Sequence, residues 1–190
     1  MFGKFVVSVV VALGLALAGS TPSFAKNNKE EQRAEVRKTS QKILGQLYRV
    51  SPSAKGAVAS AAGYAVFSNF GIKILFAGGG TGSGMAVNNA TKKEVFMKMV
   101  EVQAGLGLGV KKFRVVFIFE TESALNEFVN SGWEFGGQAT AAASYDGKGG
   151  AYQGAASVMP GVWVYQLTDE GLALELTGKG TKYYKNDELN

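Results

Sequence analysis

From Gly63 onward the period of this chain changes to two over most of its segments, with glycine frequent among the apolar residues. A period of two is that of a β-strand, whose successive side chains point to opposite faces. A chain patterned in this way from 63 to 184 is expected to build most of its fold from one sheet. Segments with this period are 64–68, 73–79, 84–87, 94–100, 101–110 and 113–120, then 133–145, 151–158, 161–167 and 171–178. Turns are predicted at Asn88-Asn89, at Lys111-Lys112, from Asp146 to Gly150 and at Thr168-Asp169-Glu170. The stretch Phe113 to Phe119 is apolar on both faces apart from Arg114, which predicts a strand in the middle of the domain, covered on both sides. Leu172, Leu174 and Leu176 share one face opposite Ala173 and Glu175, the pattern of a half-exposed strand. The polar tail 185–190 is expected to fray.

There are 26 glycines against three prolines. Gly78, Gly80, Gly82 and Gly84 alternate along one strand face, as do Gly105, Gly107 and Gly109. Bare strand faces let a second backbone or a helix approach closely, or let a sheet bend sharply. A phosphate loop would need lysine and a hydroxyl residue directly after its last glycine, and Met85-Ala86 stand there instead. The alternative, an exposed anion site made of backbone amides, stays open.

Ahead of the sheet the period is helical. Val36, Ser40, Ile43, Leu44, Leu47 and Val50 make one stripe over 29–50. Lys38, Lys42 and Arg49 fall together on the far side and Arg37 on the flank, with Glu31 and Glu35 beside Lys38. Ser51-Pro52 restarts the chain, and a short helix is expected over Ala54–Ala62. Thr121 is placed to cap a further helix running to about Asn130, with Glu122 in its first turn. Helices, a run of strands, one helix and more strands predict an α+β domain. Its sheet is curved, mostly antiparallel and glycine-rich, with amphipathic N-terminal helices and one helix inserted between strands. A membrane β-barrel is the rival, but the two-faced 113–119 strand and the charged first helix do not suit it.

Residues 1–25 read as a secretory leader. Lys4 precedes the uncharged run Phe5 to Ala18, and Ser23-Phe24-Ala25 offers small residues before a cut. Fourteen helical residues reach only about 21 Å, short of a hydrocarbon core of roughly 30 Å, so a retained membrane anchor is the lesser reading. The organisation expected is a leader over 1–25 and one domain over 26–190, helical in 29–62 and sheet in 63–184. An exported protein is the consequence, periplasmic or extracellular and peripheral to a membrane.

The chain has no histidine and no cysteine. Ser-His-Asp and Cys-His nucleophilic systems, thiolate chemistry, disulfides and His- or Cys-ligated zinc are therefore absent. Asp146, Asp169 and Asp187 are the only aspartates and fall at turns or in the tail. No pair of glutamates suggests a hydrolase. Neither an enzyme nor a cofactor is expected. Removing the leader takes one lysine and no acid from a formal charge of +5, leaving a mildly basic domain that suits anionic surfaces and falls short of a nucleic-acid binder. Two basic groups are candidates for contact with lipid phosphate: Arg37, Lys38, Lys42 and Arg49 on the first helix, and Lys111, Lys112 and Arg114 at the predicted strand turn. Against them stand the plain alternatives, a stripe packed on the protein's own sheet and an ordinary charged hairpin. Lys92-Lys93 carries still less to distinguish it.

Several segments together resemble the SYLF family. They are Gly63-Tyr64-Ala65-Val66-Phe67-Ser68-Asn69, the glycine run from Leu75 to Gly84, Gln103 to Gly109, Val115 to Phe128, Ser131 to Gly136, and Gly178 to Tyr184. The resemblance covers nearly the whole domain. It implies a compact α+β fold whose relatives bind anionic phospholipids, phosphoinositides in eukaryotes, partly through an N-terminal amphipathic helix. On this chain that helix is 29–50, and the matching basic positions are Arg37, Lys38 and Lys42. Some relatives bind actin, a partner not expected for an exported protein. The chain departs from the family pattern at Ser68-Asn69-Phe70, in place of a proline-containing turn, and at Val100-Glu101-Val102. The expected function is thus non-catalytic binding of an anionic phospholipid or membrane surface in the cell envelope. The alternative is a structural or interaction module with an envelope protein as partner.

Overall fold

In the computed structural model, residues 22–74, 77–104, 109–135, 152–169, 171–172 and 180–190 are described. Helix α1 runs Pro22–Val50 and α2 Ser53–Ser60. Strands β1 (Gly63–Ile74), β2 (Ala77–Asn88), β3 (Glu94–Ala104) and β4 (Gly109–Phe119) follow. Helix α3 (Glu122–Ser131) precedes β5 (Trp133–Phe135), β6 (Ala156–Met159), β7 (Val162–Leu167) and β8 (Gly180–Lys185). All eight strands form one antiparallel sheet in the order β5-β8-β3-β2-β1-β4-β7-β6. The sheet curls into a half-barrel, and the fold is α+β as the chain's patterning predicts.

Strand β4 sits between β1 and β7, and Phe113 and Val115 to Phe119 are buried. Alternation sends Phe113, Val115, Phe117 and Phe119 to the side covered by α3, and Val116 and Ile118 to the side covered by α1 and α2. The first side holds a ring cluster centred on Phe117, which lies 5.2 Å from Phe128 and 5.0 Å from Tyr183. On the second side Ile43 and Leu47 pack with Val66, Val116, Ile118 and Leu167. Burying each such aliphatic side chain stabilises by about 1.5–3 kcal/mol.

Two glycines show why the sheet needs them. A Cβ on Gly84 would lie 2.2 Å from the Val66 carbonyl oxygen and 2.4 Å from the Phe67 ring, so bare backbone lets β2 press onto β1. Gly132 ends α3 at φ +69, where a Cβ would also meet the Tyr183 carbonyl at 2.6 Å. The close-packing reading of the alternating glycines holds at Gly82 and Gly84; Gly105 and Gly107 lie outside the described residues. Thr121 caps α3 as expected, its Oγ1 accepting from the Ala124 amide at 3.3 Å.

Some expectations need correction. Lys111-Lys112 is no turn but lies inside β4, opposite Gly71 and Phe70. Strand β4 follows β3 in the chain yet lies beyond β2 and β1 in the sheet, so no tight hairpin joins the two. The single strand expected over 73–79 is divided between β1 and β2, and the two expected over 94–110 are β3 and the first residues of β4. Of the strand expected over 133–145 only Trp133–Phe135 is described, and of 171–178 only Gly171 and Leu172; Asp146 to Gly150 lies outside the described residues. The first helix starts at Pro22, ahead of the expected start at 29.

The tail does not fray. Leu189 and Asn186 are buried, the Asn186 amide donates to the Phe96 carbonyl at 2.9 Å, and the Asn190 side chain bonds both the amide and the carbonyl of Phe96. Asn190 thus imitates one more residue of a strand beside β3, which satisfies backbone groups that a fraying tail would leave to water. The two departures from the family pattern also meet. Asn69 Nδ2 donates to Glu101 Oε2 at 2.5 Å, with both residues buried, so each polar group offsets the burial of the other.

Candidate anion-binding site

The apolar stripe of α1 is covered by the sheet: Val36, Ile43 and Leu47 are buried, with Ser40 between them. Of the two readings of this stripe, packing on the protein's own sheet is the one the structure shows at these positions, so they are not free to enter a lipid surface. A stripe that buries carbon against Val66, Met85 and Val116 has already left water and gains nothing by moving into hydrocarbon.

The seven basic residues singled out from the sequence do not converge. Lys38 is exposed, with Glu35 at 3.9 Å, and Lys42 and Arg49 are exposed on the outer side of α1. Arg114 lies on β4 opposite Ser68, away from α1's basic flank, where its Nη2 donates to Asp169 Oδ1 at 2.8 Å and its Nη1 is buried with no partner among the described residues. Lys111 and Lys112 belong to β4, and their side chains lie outside the described residues. Of those whose side chains are described, only Arg37 lines a basic concavity.

That concavity, about 420 Å³, lies where one flank of α1, the β2–β3 turn and the end of β8 meet. Arg33 and Arg37 stand one helical turn apart and lean over the same ring, with guanidinium carbons 5.9 and 5.2 Å from the Phe96 centroid. A guanidinium over a ring face is held by the ring quadrupole, worth roughly 0.5–1 kcal/mol where water has access. Arg37 Nε donates to Glu94 Oε2 at 2.7 Å; Arg33 Nε donates to the Leu189 carbonyl at 2.8 Å, and its Nη1 reaches Glu30.

The turn supplies Lys92 and Lys93. Asn88 Oδ1 accepts from the amides of Ala90 and Thr91 at 3.0 and 2.9 Å, and Lys92 takes the left-handed backbone at φ 59. Asn89 Nδ2 anchors the turn to the end of α2 through the carbonyls of Val58 and Ala61 at 2.7 and 2.9 Å. The lysine backbones are therefore fixed while their ammonium groups stay in solvent. Lys185 closes the rim from β8. Among the described residues, Lys92, Lys93 and Lys185 have no ion-pair partner.

Five cations thus border a concavity in which, among the described residues, Glu94 supplies the one carboxylate side chain. Arginine forks and lysine ammonium groups in that density suit a phosphate, which offers several acceptor oxygens and charge to neutralise. Arg33 and Lys185 are not among the candidates expected from the sequence, and Lys92-Lys93 has little there to distinguish it. The spacing of Arg33 and Arg37 on one helix flank was a usable signal; the approach of the turn and the chain end was not visible without the fold.

Comparison with known proteins gives two matches. Residues 100–190 match the family model Ysc84, described as "Las17-binding protein actin regulator". The chain is also 31% identical over 160 residues to Beta cell expansion factor A of Aeromonas veronii, an alignment covering 84% of this chain and 59% of that protein.

Proposed function

Because this chain carries a SYLF domain, we propose that it is a non-catalytic module that docks on anionic phospholipid surfaces, with the basic concavity as its headgroup site. One observation carries the reading. Arg33, Arg37, Lys92, Lys93 and Lys185 face a single open space, and three of the five lack a carboxylate partner among the described residues. Each basic group near an anionic surface contributes about 1 kcal/mol, so such a set yields useful and reversible adhesion. Lys38, Lys42 and Arg49 on the outer side of α1 are a second, weaker contact. Arg114, Lys111 and Lys112 belong to another part of the sheet and are not needed. The leader-like pattern of residues 1–25 supports a setting in the cell envelope for this activity.

Flotation of the full-length protein with vesicles tests the reading. Vesicles of phosphatidylcholine with phosphatidylglycerol are expected to carry the protein, pure phosphatidylcholine vesicles are not, and salt should weaken binding. Lys92→Glu with Lys93→Glu should weaken binding at least tenfold, and Lys38→Glu with Lys42→Glu less. A larger loss from Lys38→Glu with Lys42→Glu than from the Lys92, Lys93 pair would reassign the contact to the outer side of α1; no loss in either would end the lipid reading. The family description names binding of another protein, which favours a second reading as an interaction module with an envelope protein as partner. A stable partner in a crosslinked pull-down, with no vesicle binding, would support it.

A further inference from the structure

A second groove, about 610 Å³, lies on the opposite flank of α1 from the basic concavity, and Leu189 of the tail borders both. Its floor is one register row across four strands: Ser68 faces Ser83, Ser83 faces Lys98, and Lys98 faces Tyr184. Alternation turns these side chains toward α1, the side that also carries Val66 and Met85. Its roof is Gln32, Glu35 and Thr39, set around Val36 on the inward side of the helix.

Where Ile43 and Leu47 meet Val66 and Ile118, the space between helix and sheet is filled by carbon. Nearer the helix start Val36 packs with Met85 and Phe96, but along the flank of Gln32, Glu35 and Thr39 the sheet face carries Ser68, Thr81 and Ser83, and the space stays open. Among the described residues, Ser68, Thr81 and Ser83 have no side-chain hydrogen-bond partner, although each hydroxyl can both donate and accept. The groove's charges are already met: Lys98 Nζ lies 3.1 Å from Glu188 Oε2, and Glu35 has Lys38 at 3.9 Å. This space does not call for a phosphate. A volume within the usual range for small-molecule sites, carbon walls from Val36 and Val100, a half-buried tyrosine ring and hydroxyls open to the groove favour an uncharged ligand rich in hydroxyl groups.

We infer that this groove binds a neutral saccharide of one or two rings, independently of the anionic surface engaged across the tail. Sugar hydroxyls pair with Ser68, Thr81 and Ser83, and a sugar face lies against Tyr184. Saturation-transfer NMR on the full-length protein, with maltose, cellobiose and chitobiose as probes, tests this. Transfer is expected to at least one disaccharide, with affinity reduced tenfold or more by Ser83→Leu and by Thr81→Leu, while flotation with anionic vesicles is unchanged. Both positions are exposed; should a leucine variant fail to fold by circular dichroism, Ser83→Ala, which removes one oxygen, is expected to weaken binding severalfold. The inference is overturned if none of the three sugars receives saturation, if the folded variants bind as well as the parent, or if inorganic phosphate displaces the sugar. Its failure leaves the vesicle result untouched.

Discussion

On the α3 side of the sheet, Phe67, Phe117, Phe119, Phe128, Trp133 and Tyr183 interlock ring against ring. On the α1 side, Ile43 and Leu47 pack with Val66 and Val116, Val36 packs with Met85, Phe96 and Leu189, and a concavity opens on each flank of the helix near Arg33. The difference separates two tasks. A sealed aromatic layer stabilises the curled sheet, so the opposite face can leave cations and hydroxyls unmatched without loss of the fold. Residues of the first face should therefore govern stability, and those near Arg33 should govern binding.

The largest effect that would break this division lies in the ring cluster. Phe117→Ala removes the ring that touches Phe67, Phe119, Phe128, Trp133 and Tyr183, and should cost about 3–5 kcal/mol in urea unfolding. A loss under about 1 kcal/mol would show that the aromatic layer does not carry the fold.

An intermediate effect is expected from alkaline pH, and it samples both faces. Burial raises the Tyr183 phenol well above its ordinary value on the α3 side. On the other side burial raises Tyr48, Tyr64 and Tyr165, and burial with a hydrogen bond to Glu120 raises Tyr152 to about 12. The unfolded chain releases these protons near pH 10 while the folded protein keeps them, so rising pH favours the unfolded form. Stability should be flat up to pH 9 and decline between about 10 and 12, with tyrosinate absorbance appearing together with unfolding. Titration of most tyrosines near pH 10 without unfolding would contradict the burial described here.

The smallest effect sharpens the comparison at the tail, which borders both concavities. Asn190→Ala removes the side chain that bonds the Phe96 amide and carbonyl, and should cost about 1–2 kcal/mol. Amide exchange should quicken at Phe96 and not at Phe117. Equal protection at both positions in the variant would show that the tail is not part of the α1-side structure.

Much of the fold was legible because burial and period agree. The two-faced pattern of 113–119 placed β4 inside the sheet, and Thr121 with Glu122 marked the start of α3. Misreadings came where two structures share one local pattern. Lys111-Lys112 has the composition of a turn, but its residues pair with Gly71 and Phe70 inside the sheet, and consecutive strands are separated by two others. Asn190 looks like a loose polar end until a backbone stands ready to receive its amide. The candidate site was less legible still. Arg37 was singled out, but its partners at Lys92, Lys93 and Lys185 are distant in the chain and carry no motif.

The sequence by itself determined that the chain is an α+β sheet protein with a helical start, and that it lacks the histidine and cysteine on which much catalytic chemistry rests. Those conclusions follow from periodicity and composition, which act locally or not at all. Which side of α1 meets the sheet, which lysines share a pocket and where hydroxyls are left unmatched were decided by the tertiary structure. Burial of the stripe around Ile43 and Leu47 turns the helix one way, and the register of β3, β8 and the tail then brings charges together that no spacing in the chain encodes.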